Sequence, residues 1–118
     1  MNIKQFKYGA DNLGYLVYGD KSAMAVDGGA TGEMLSFIQG RNLKLKYVTN
    51  THSHGDHTSG NQALLNSSKA QFLDFDMLLK SGEIDINGEL IRVFHTPGHT
   101  DDSVCFHFNN ILVAGDTL

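Results

Sequence analysis

The chain has 118 residues, enough for one domain with a buried hydrophobic core. Hydrophobic residues account for 41% and charged residues for 19%, a composition that excludes an intrinsically disordered chain. The formal net charge of −4, with no basic run, argues against a nucleic-acid partner.

The chain is rich in short predicted strands, which are separated mainly by glycine and asparagine turns. They comprise residues 13–18, 23–26, 43–49, 84–86, 90–94, 103–108 and 111–114. In the third strand, Leu43, Leu45 and Tyr47 alternate with lysines and are expected on one face of the sheet. Asn87 and Gly88 predict a two-residue hairpin turn, and a second hairpin is expected around residues 109–110.

Two short helices are predicted between these strands. Thr31 is expected to cap the first helix, and Gly40 is expected to end it. Thr58 or Ser59 is expected to cap the second helix, which runs through Leu65. Strands with inserted helices predict a strand-rich α+β fold that spans the whole chain as one domain.

Side chains suited to bind metal follow three of the predicted strands directly. These are residues 52–57, with the sequence His-Ser-His-Gly-Asp-His, residues 95–99 and Asp116. Five of the six histidines of the chain fall in the first two of these groups. Because strand ends can meet at one edge of a sheet, this arrangement predicts a metal site there.

The first group has the spacing of a metal-binding loop. In an extended chain His52 and His54 point the same way and can face one ion, while Asp56 and His57 can serve a second ion nearby. Histidine and aspartate suit Zn, Fe or Mn, and the lack of cysteine ligands argues against a closed structural zinc site. The alternative is a loop of exposed histidines without a ligand role. Three histidines and one aspartate within six positions disfavour it.

The second and third groups can complete this site. Pro97 and Gly98 favour a type II turn, which would aim His99 as a ligand. His95, before the turn, is expected to be a structural residue rather than a ligand. Asp116 offers two carboxylate oxygens and could therefore bridge two cations.

The remaining features point to an intracellular protein. The lone cysteine, Cys105, excludes an internal disulfide and is expected to pack in a strand, where His107 faces solvent or is satisfied. The first six residues lack the apolar region of a signal peptide, and no apolar stretch approaches the roughly 20 residues of a membrane span. We therefore expect a cytoplasmic location and no membrane partner.

The motifs at residues 51–57, 96–100 and 115–118 resemble, in order, those of the metallo-β-lactamase superfamily, most closely its glyoxalase II (hydroxyacylglutathione hydrolase) group. Residues 12–17 and 26–29 are also similar to N-terminal strands of that family. The resemblance covers the whole chain. It implies an αβ/βα sandwich, of which this chain would be the N-terminal half.

The resemblance implies a ligand set for two ions. The implied roles are His52, His54 and His99 for the first metal, Asp56 and His57 for the second, and Asp116 as the bridge. Asp27 resembles a carboxylate that orients the ligand loop, although a simple turn aspartate before two glycines is an equal alternative. Zn²⁺ is the expected cofactor, as one or two ions, and Fe or Mn are alternatives.

The implied chemistry is hydrolysis by a metal-activated hydroxide. Two cations about 3.5–4 Å apart lower the pKa of a shared water and polarise the scissile carbonyl, with Asp56 placed to accept a proton. The expected substrate is a small ester or thioester, as in glyoxalase II. The alternatives are a lactonase, a persulfide dioxygenase-like enzyme with one iron, and a catalytically inert metal-binding half-domain.

The sequence also departs from the family pattern. No residue matches the family's last histidine ligand to the second ion, and Asp101 and Asp102 add negative charge where a glycine is more usual. The sequence stops two residues after Asp116, so we expect a chain truncated after the Gly-Asp-Thr-Leu motif. An uncovered apolar sheet face would then favour a homo-oligomer or a complementing chain.

Overall fold

Two β-sheets and three short helices form the part of the chain that the computed structural model describes, namely residues 1–9, 12–51, 60–96 and 103–113. The strands are β1 (Asn2–Tyr8), β2 (Asn12–Tyr18), β3 (Ser22–Val26), β4 (Lys44–Thr49), β5 (Gln71–Phe72), β6 (Glu83–Ile86), β7 (Glu89–His95), β8 (Val104–Phe108) and β9 (Ile111–Val113). The helices are α1 (Thr31–Gly40), α2 (Asn61–Asn66) and α3 (Phe75–Ser81).

The first sheet is mixed and the second is antiparallel. The first has the order β1-β2-β3-β4-β5, with β1, β2 and β3 antiparallel and with β3, β4 and β5 parallel. The second has the order β6-β7-β8-β9, and each neighbouring pair is antiparallel. In the first sheet, helices α1 and α2 lie along the chain between the parallel strands, as parallel connections require.

Three layers follow from the way apolar side chains are distributed. One cluster lies between the sheets and includes Val17 and Met24 of the first sheet with Ile91 and Phe106 of the second. Another cluster joins the opposite face of the first sheet to α1 and α2, for example through Met34 and Leu64. The expected α+β class is therefore confirmed, and the order of layers is helices, first sheet, second sheet.

Both predicted hairpins are confirmed. Asn87 and Gly88 have φ angles of 55° and 85°, as a two-residue turn with left-handed central residues requires. The carboxylate of Asp85 accepts a hydrogen bond from the backbone N–H of Gly88 at 2.9 Å. Asn109, between β8 and β9, has a φ of 53°. Asparagine and glycine adopt this conformation readily, so the turn sequence fixes the strand register.

The predicted face of β4 is wrong for Tyr47. Leu43 and Leu45 pack with the helices, but Tyr47 packs in the cluster between the sheets. Ala23 pairs with Leu45 and the next residue of β3 pairs with Tyr47, so Lys46 is an extra residue in the strand. Such a bulge reverses the alternation of side chains beyond it.

The helix caps differ from the predictions. Thr31 is the first residue of α1 rather than its cap, and its hydroxyl donates to the carbonyl of Gly28 at 2.9 Å. Gly60 precedes α2 at the N-cap position, which corrects the predicted cap at Thr58 or Ser59, two residues outside the described ranges. Helix α1 thus has no side-chain cap, and the hydroxyl of Thr31 instead joins the start of the helix to the preceding loop.

Helix α3 and strands β1 and β5 were not predicted. The sequence nevertheless carries helix signals at α3, because the side chain of Asp74 caps the N–H of Met77 at 2.9 Å and Gly82 ends the helix with a φ of 71°.

Of the described helices, none is long and apolar enough to cross a membrane.

Candidate metal centre

All residues predicted to bind metal lie outside the described ranges, and these are His52, His54, Asp56, His57, His99 and Asp116. The catalytic role expected of Asp56 therefore stays a prediction. Within the residues that are described, no three or more His, Cys, Asp or Glu side chains form a group that could hold a metal. The structure shows the residues on both sides of the first two predicted ligand groups and those that precede the third.

The ends of three strands meet at one edge of the molecule. Strand β8 is antiparallel to β7 and β9, and it pairs with them through Val104 opposite His95 and Phe106 opposite Val113. The start of β8 therefore lies beside the end of β7, and the end of β9 lies beside Phe106, two residues further along β8. The first sheet reaches the same point, because the carbonyl of Thr51 accepts a hydrogen bond from the N–H of Val104 at 2.6 Å. Each predicted ligand group follows one of these three strand ends.

Asp27 fixes the position of Thr51. Its side chain is fully buried and accepts hydrogen bonds from the N–H of Thr51 at 2.9 Å and from the hydroxyl of Thr51 at 2.7 Å. The amide of Asn50 also donates to this carboxylate at 3.4 Å. Asp27 has a φ of 56°, so it combines a turn conformation with a carboxylate that orients the residue before His52. The turn conformation expected of Asp27 is therefore confirmed, and its role in orienting the ligand loop stays a prediction.

The buried carboxylate also acts on a neighbouring tyrosine. Burial, and then the charge of Asp27, raise the pKa of Tyr15 above its ordinary value of 10.0. Both causes disfavour the tyrosinate, since burial removes water from the anion and Asp27 repels it. The titration of Tyr15 therefore reports on the charge of Asp27.

Two glycines allow the start of α2 to approach the loop after β3. A Cβ atom on Gly60 would overlap the carbonyl oxygen of Gly28, and one on Gly28 would overlap the side chain of Leu64. Gly60 follows residues 52–59 directly, and Thr51 precedes them. Residues 52–59 are hereafter called the ligand segment. The residues that flank it, Thr51 and Gly60, are therefore held against residues 27 and 28.

An amide pair joins the two ends of the ligand segment directly. Asn50 donates through Nδ2 to Oδ1 of Asn61 at 3.2 Å, and Asn61 donates through Nδ2 to Oδ1 of Asn50 at 2.8 Å. The sequence analysis missed both residues. The available signal was their position, because one asparagine lies just before the ligand segment and the other just after it.

The segment that contains His99 is also joined at its ends. The N–H of Thr96 donates to the carbonyl of Ser103 at 2.9 Å. The hydroxyl of Thr96 lies 3.3 Å from the Sγ of Cys105, which is buried as expected of a packing residue. The ring of His95 contacts Phe75 edge-on at 5.3 Å, in accord with the structural role predicted for it.

Comparison with known proteins identifies relatives. A family model described as the metallo-beta-lactamase superfamily matches residues 11–72. The hydroxyacylglutathione hydrolase of Pelagibacter ubique is 32% identical over 136 residues, which cover 100% of this chain and 56% of that protein. That of Francisella tularensis subsp. novicida is 34% identical, over 91% of this chain and 47% of its own length. The chain thus spans about half the length of the curated relatives it matches.

Solved structures share the fold. The BLEG-1 B3 metallo-beta-lactamase superposes with a TM-score of 0.75 and 21% identity, over 91% of this chain and 67% of the other. ETHE1 from Myxococcus xanthus gives a TM-score of 0.74 and 23% identity, over 91% and 53%. At this level of identity the likeness describes the arrangement of the two sheets and the helices.

Proposed function

Because the chain belongs to the metallo-beta-lactamase superfamily, we propose that it supplies the metal centre of a metal-dependent hydrolase, most like a glyoxalase II-type thioester hydrolase. The observation that carries this proposal is that the end of β7, the start of β8 and the residue after β4 meet at the Thr51–Val104 hydrogen bond, with the end of β9 two residues further along β8. Each strand end leads into one of the predicted ligand groups. A sheet edge built in this way can bring ligands from distant parts of the chain to one centre.

The chemistry of the predicted donors fits a bound cation. The predicted donors are imidazole nitrogens and carboxylate oxygens, which suit Zn²⁺ and also Fe or Mn. The fully buried carboxylate of Asp27 holds Thr51, the residue before the first predicted ligand, through two hydrogen bonds. Metal sites use such outer residues to orient the ligands themselves.

The proposed roles follow the predicted ligand set. His52, His54 and His99 would hold the first ion, Asp56 and His57 the second, and Asp116 would bridge them. Bound cations lower the pKa of a water molecule toward neutrality and polarise the scissile carbonyl. Asp56 would accept a proton from the attacking water. Asp27 and Thr51 would keep the start of the ligand segment in place during the reaction.

The proposed substrate is a small acyl thioester. The two curated relatives are both named hydroxyacylglutathione hydrolases, so a hydroxyacyl thioester of glutathione is the first substrate to test. Because the chain spans only about half of the length of those relatives, hydrolysis of this thioester by the chain is a proposal.

A centre with one ion is the second candidate. The sequence contains no counterpart of the family's last ligand to the second ion, and a single ion would need only His52, His54 and His99. A mononuclear-iron persulfide dioxygenase-like enzyme would then replace the thioester hydrolase. A lactonase of the same fold is a separate alternative. In a third case the chain would bind metal without catalysis.

Metal content and turnover together test the proposal. We expect the purified chain to bind one or two equivalents of Zn²⁺ and to hydrolyse the thioester in a zinc-dependent manner. His54→Ala should lower zinc affinity about 10- to 100-fold, while Cys105→Ala, a buried packing residue, should keep near-normal metal content. Equal metal loss in both variants would contradict the ligand assignment. One equivalent or less without turnover would reject catalysis by this chain.

A further inference from the structure

The reciprocal amide pair between Asn50 and Asn61 forms a clasp across the ligand segment. Each amide donates one hydrogen bond and accepts one, at 3.2 Å and 2.8 Å, and both side chains are half-buried. Such a pair uses one donor and one acceptor of each side chain and sets the relative orientation of the two amides. A single hydrogen bond would leave that orientation freer.

The clasp is connected to the buried carboxylate of Asp27. Nδ2 of Asn50 lies 3.4 Å from Oδ1 of Asp27, and the same oxygen accepts from the N–H of Thr51 at 2.9 Å. On the other side, Asn61 is the first residue of α2, whose N-cap Gly60 rests on the carbonyl of Gly28. The clasp therefore links the end of β4 to the start of α2 through one continuous polar network.

We propose that Asn50 and Asn61 are positioning residues whose clasp sets the spacing of the two ends of the ligand segment and thereby raises the affinity for a divalent cation. The metal part of this inference rests on the proposed function. The apparent affinity of a site scales with the fraction of molecules already in the binding conformation. Holding Thr51 and α2 at one spacing lowers the entropic cost of closing the loop between them and so increases that fraction before metal arrives.

The first experiment measures Zn²⁺ affinity in the full chain by competition with a chromophoric chelator. We expect N50A and N61A each to weaken zinc affinity about tenfold, a typical effect for residues that orient ligands. The double variant N50A/N61A should be no weaker than the weaker single variant, because either change removes the clasp. The matched control is Q62A, which removes an exposed amide hydrogen bond of 2.8 Å to Asn66 in the same helix, and it should bind zinc like the unaltered chain.

A conservative variant keeps the test decisive if an alanine variant fails to fold. N61D retains an acceptor for Nδ2 of Asn50 and loses only the second hydrogen bond. Because aspartate adds a charge, its control is Q62E, which adds the same charge at the next position. We expect N61D to bind zinc at least as tightly as Q62E, whereas N50D/N61D, with two carboxylates opposed, should lose affinity as the alanine variants do.

Hydrogen exchange in the metal-free chain separates the clasp from the metal. The N–H of Leu64 donates to the carbonyl of Gly60, and the N–H of Thr51 donates to Asp27. Both amides should exchange several-fold faster in N50A and N61A than in Q62A. Unchanged exchange together with unchanged zinc affinity would overturn the clasp. Failure of the unaltered chain to bind zinc would instead overturn the proposed function, and exchange would still decide whether the clasp holds the two ends.

Discussion

Hydrogen bonds of single residues join the two sheets next to the first predicted ligand group. Thr51 donates two hydrogen bonds, from its N–H and its hydroxyl, to the buried carboxylate of Asp27, and its carbonyl accepts one from the N–H of Val104 in the second sheet. One residue thus joins both sheets just before the first predicted ligand. A change at Asp27 is therefore expected to reach the site without touching a metal.

The titration of Tyr15 reports the charge of Asp27. Burial and the Asp27 charge hold the pKa of Tyr15 above 10.0 in the folded chain, whereas an unfolded tyrosine ionises near that value. The folded state thus retains the proton longer, so the stabilising contribution is present below pH 10 and is lost as the pH rises above it. Absorbance of tyrosinate should show a late phase that Tyr15→Phe removes.

Replacement of Asp27 tests the cause of that late phase. Asp27→Asn removes the charge while asparagine tolerates the positive φ of 56° at this position. The pKa of Tyr15 should then fall but stay above its ordinary value, because burial is the larger cause. An unchanged late phase in Asp27→Asn would mean that the carboxylate does not act on Tyr15.

At the scale of elements, local turn sequences predicted the hairpins, whereas a feature that depends on strand pairing was predicted wrongly. The two hairpins were predictable because Asn87, Gly88 and Asn109 adopt left-handed conformations that few other residues tolerate. The face of Tyr47 was not, because the bulge at Lys46 depends on the pairing of β4 with β3. Helix α3 carries its own caps at Asp74 and Gly82, so its sequence held enough information to predict it.

The same division applies to the candidate site. The clustering of histidines after strands predicted a metal centre at a sheet edge, and this stays a prediction because the ligand residues lie outside the described ranges. The clasp of Asn50 and Asn61 was missed, because their positions beside the ligand segment do not by themselves show that the packing of α2 against residue 28 brings the two amides together. Residues that bind metal have a characteristic chemistry, whereas residues that position them are ordinary amides.

The seat of α2 is tested by a pair of glycine variants. Gly60→Ala places a methyl group against the carbonyl oxygen of Gly28, so the helix start must shift, and we expect a loss of about 1–3 kcal/mol in the free energy of unfolding. Gly32→Ala, in the first turn of α1, meets nothing within 4 Å and should gain about 0.5 kcal/mol. Urea denaturation measures both values. Equal effects would show that the contact of Gly60 with Gly28 does not constrain α2.

At the scale of the whole molecule, the second sheet has a layer on only one described face. Ile91 and Val93 point into the cluster between the sheets, so the alternate residues of β7 point away from it. On that outer face Leu90 is 52% exposed, Phe94 46%, and Leu112 of β9 45%.

We propose that isolated copies of the chain associate through this outer face, which would remove its apolar side chains from water. Phe94→Lys places a charge on this face. In sedimentation velocity, this variant should remain monomeric as the protein concentration rises, whereas the unaltered chain should associate. The matched control is Leu79→Lys, which changes a 38% exposed leucine of α3 away from the outer face of the second sheet. It should associate like the unaltered chain, because it leaves the outer face intact. If both variants become equally monomeric, general hydrophobic exposure rather than this face drives association. If neither does, the outer face of the second sheet is not where copies meet.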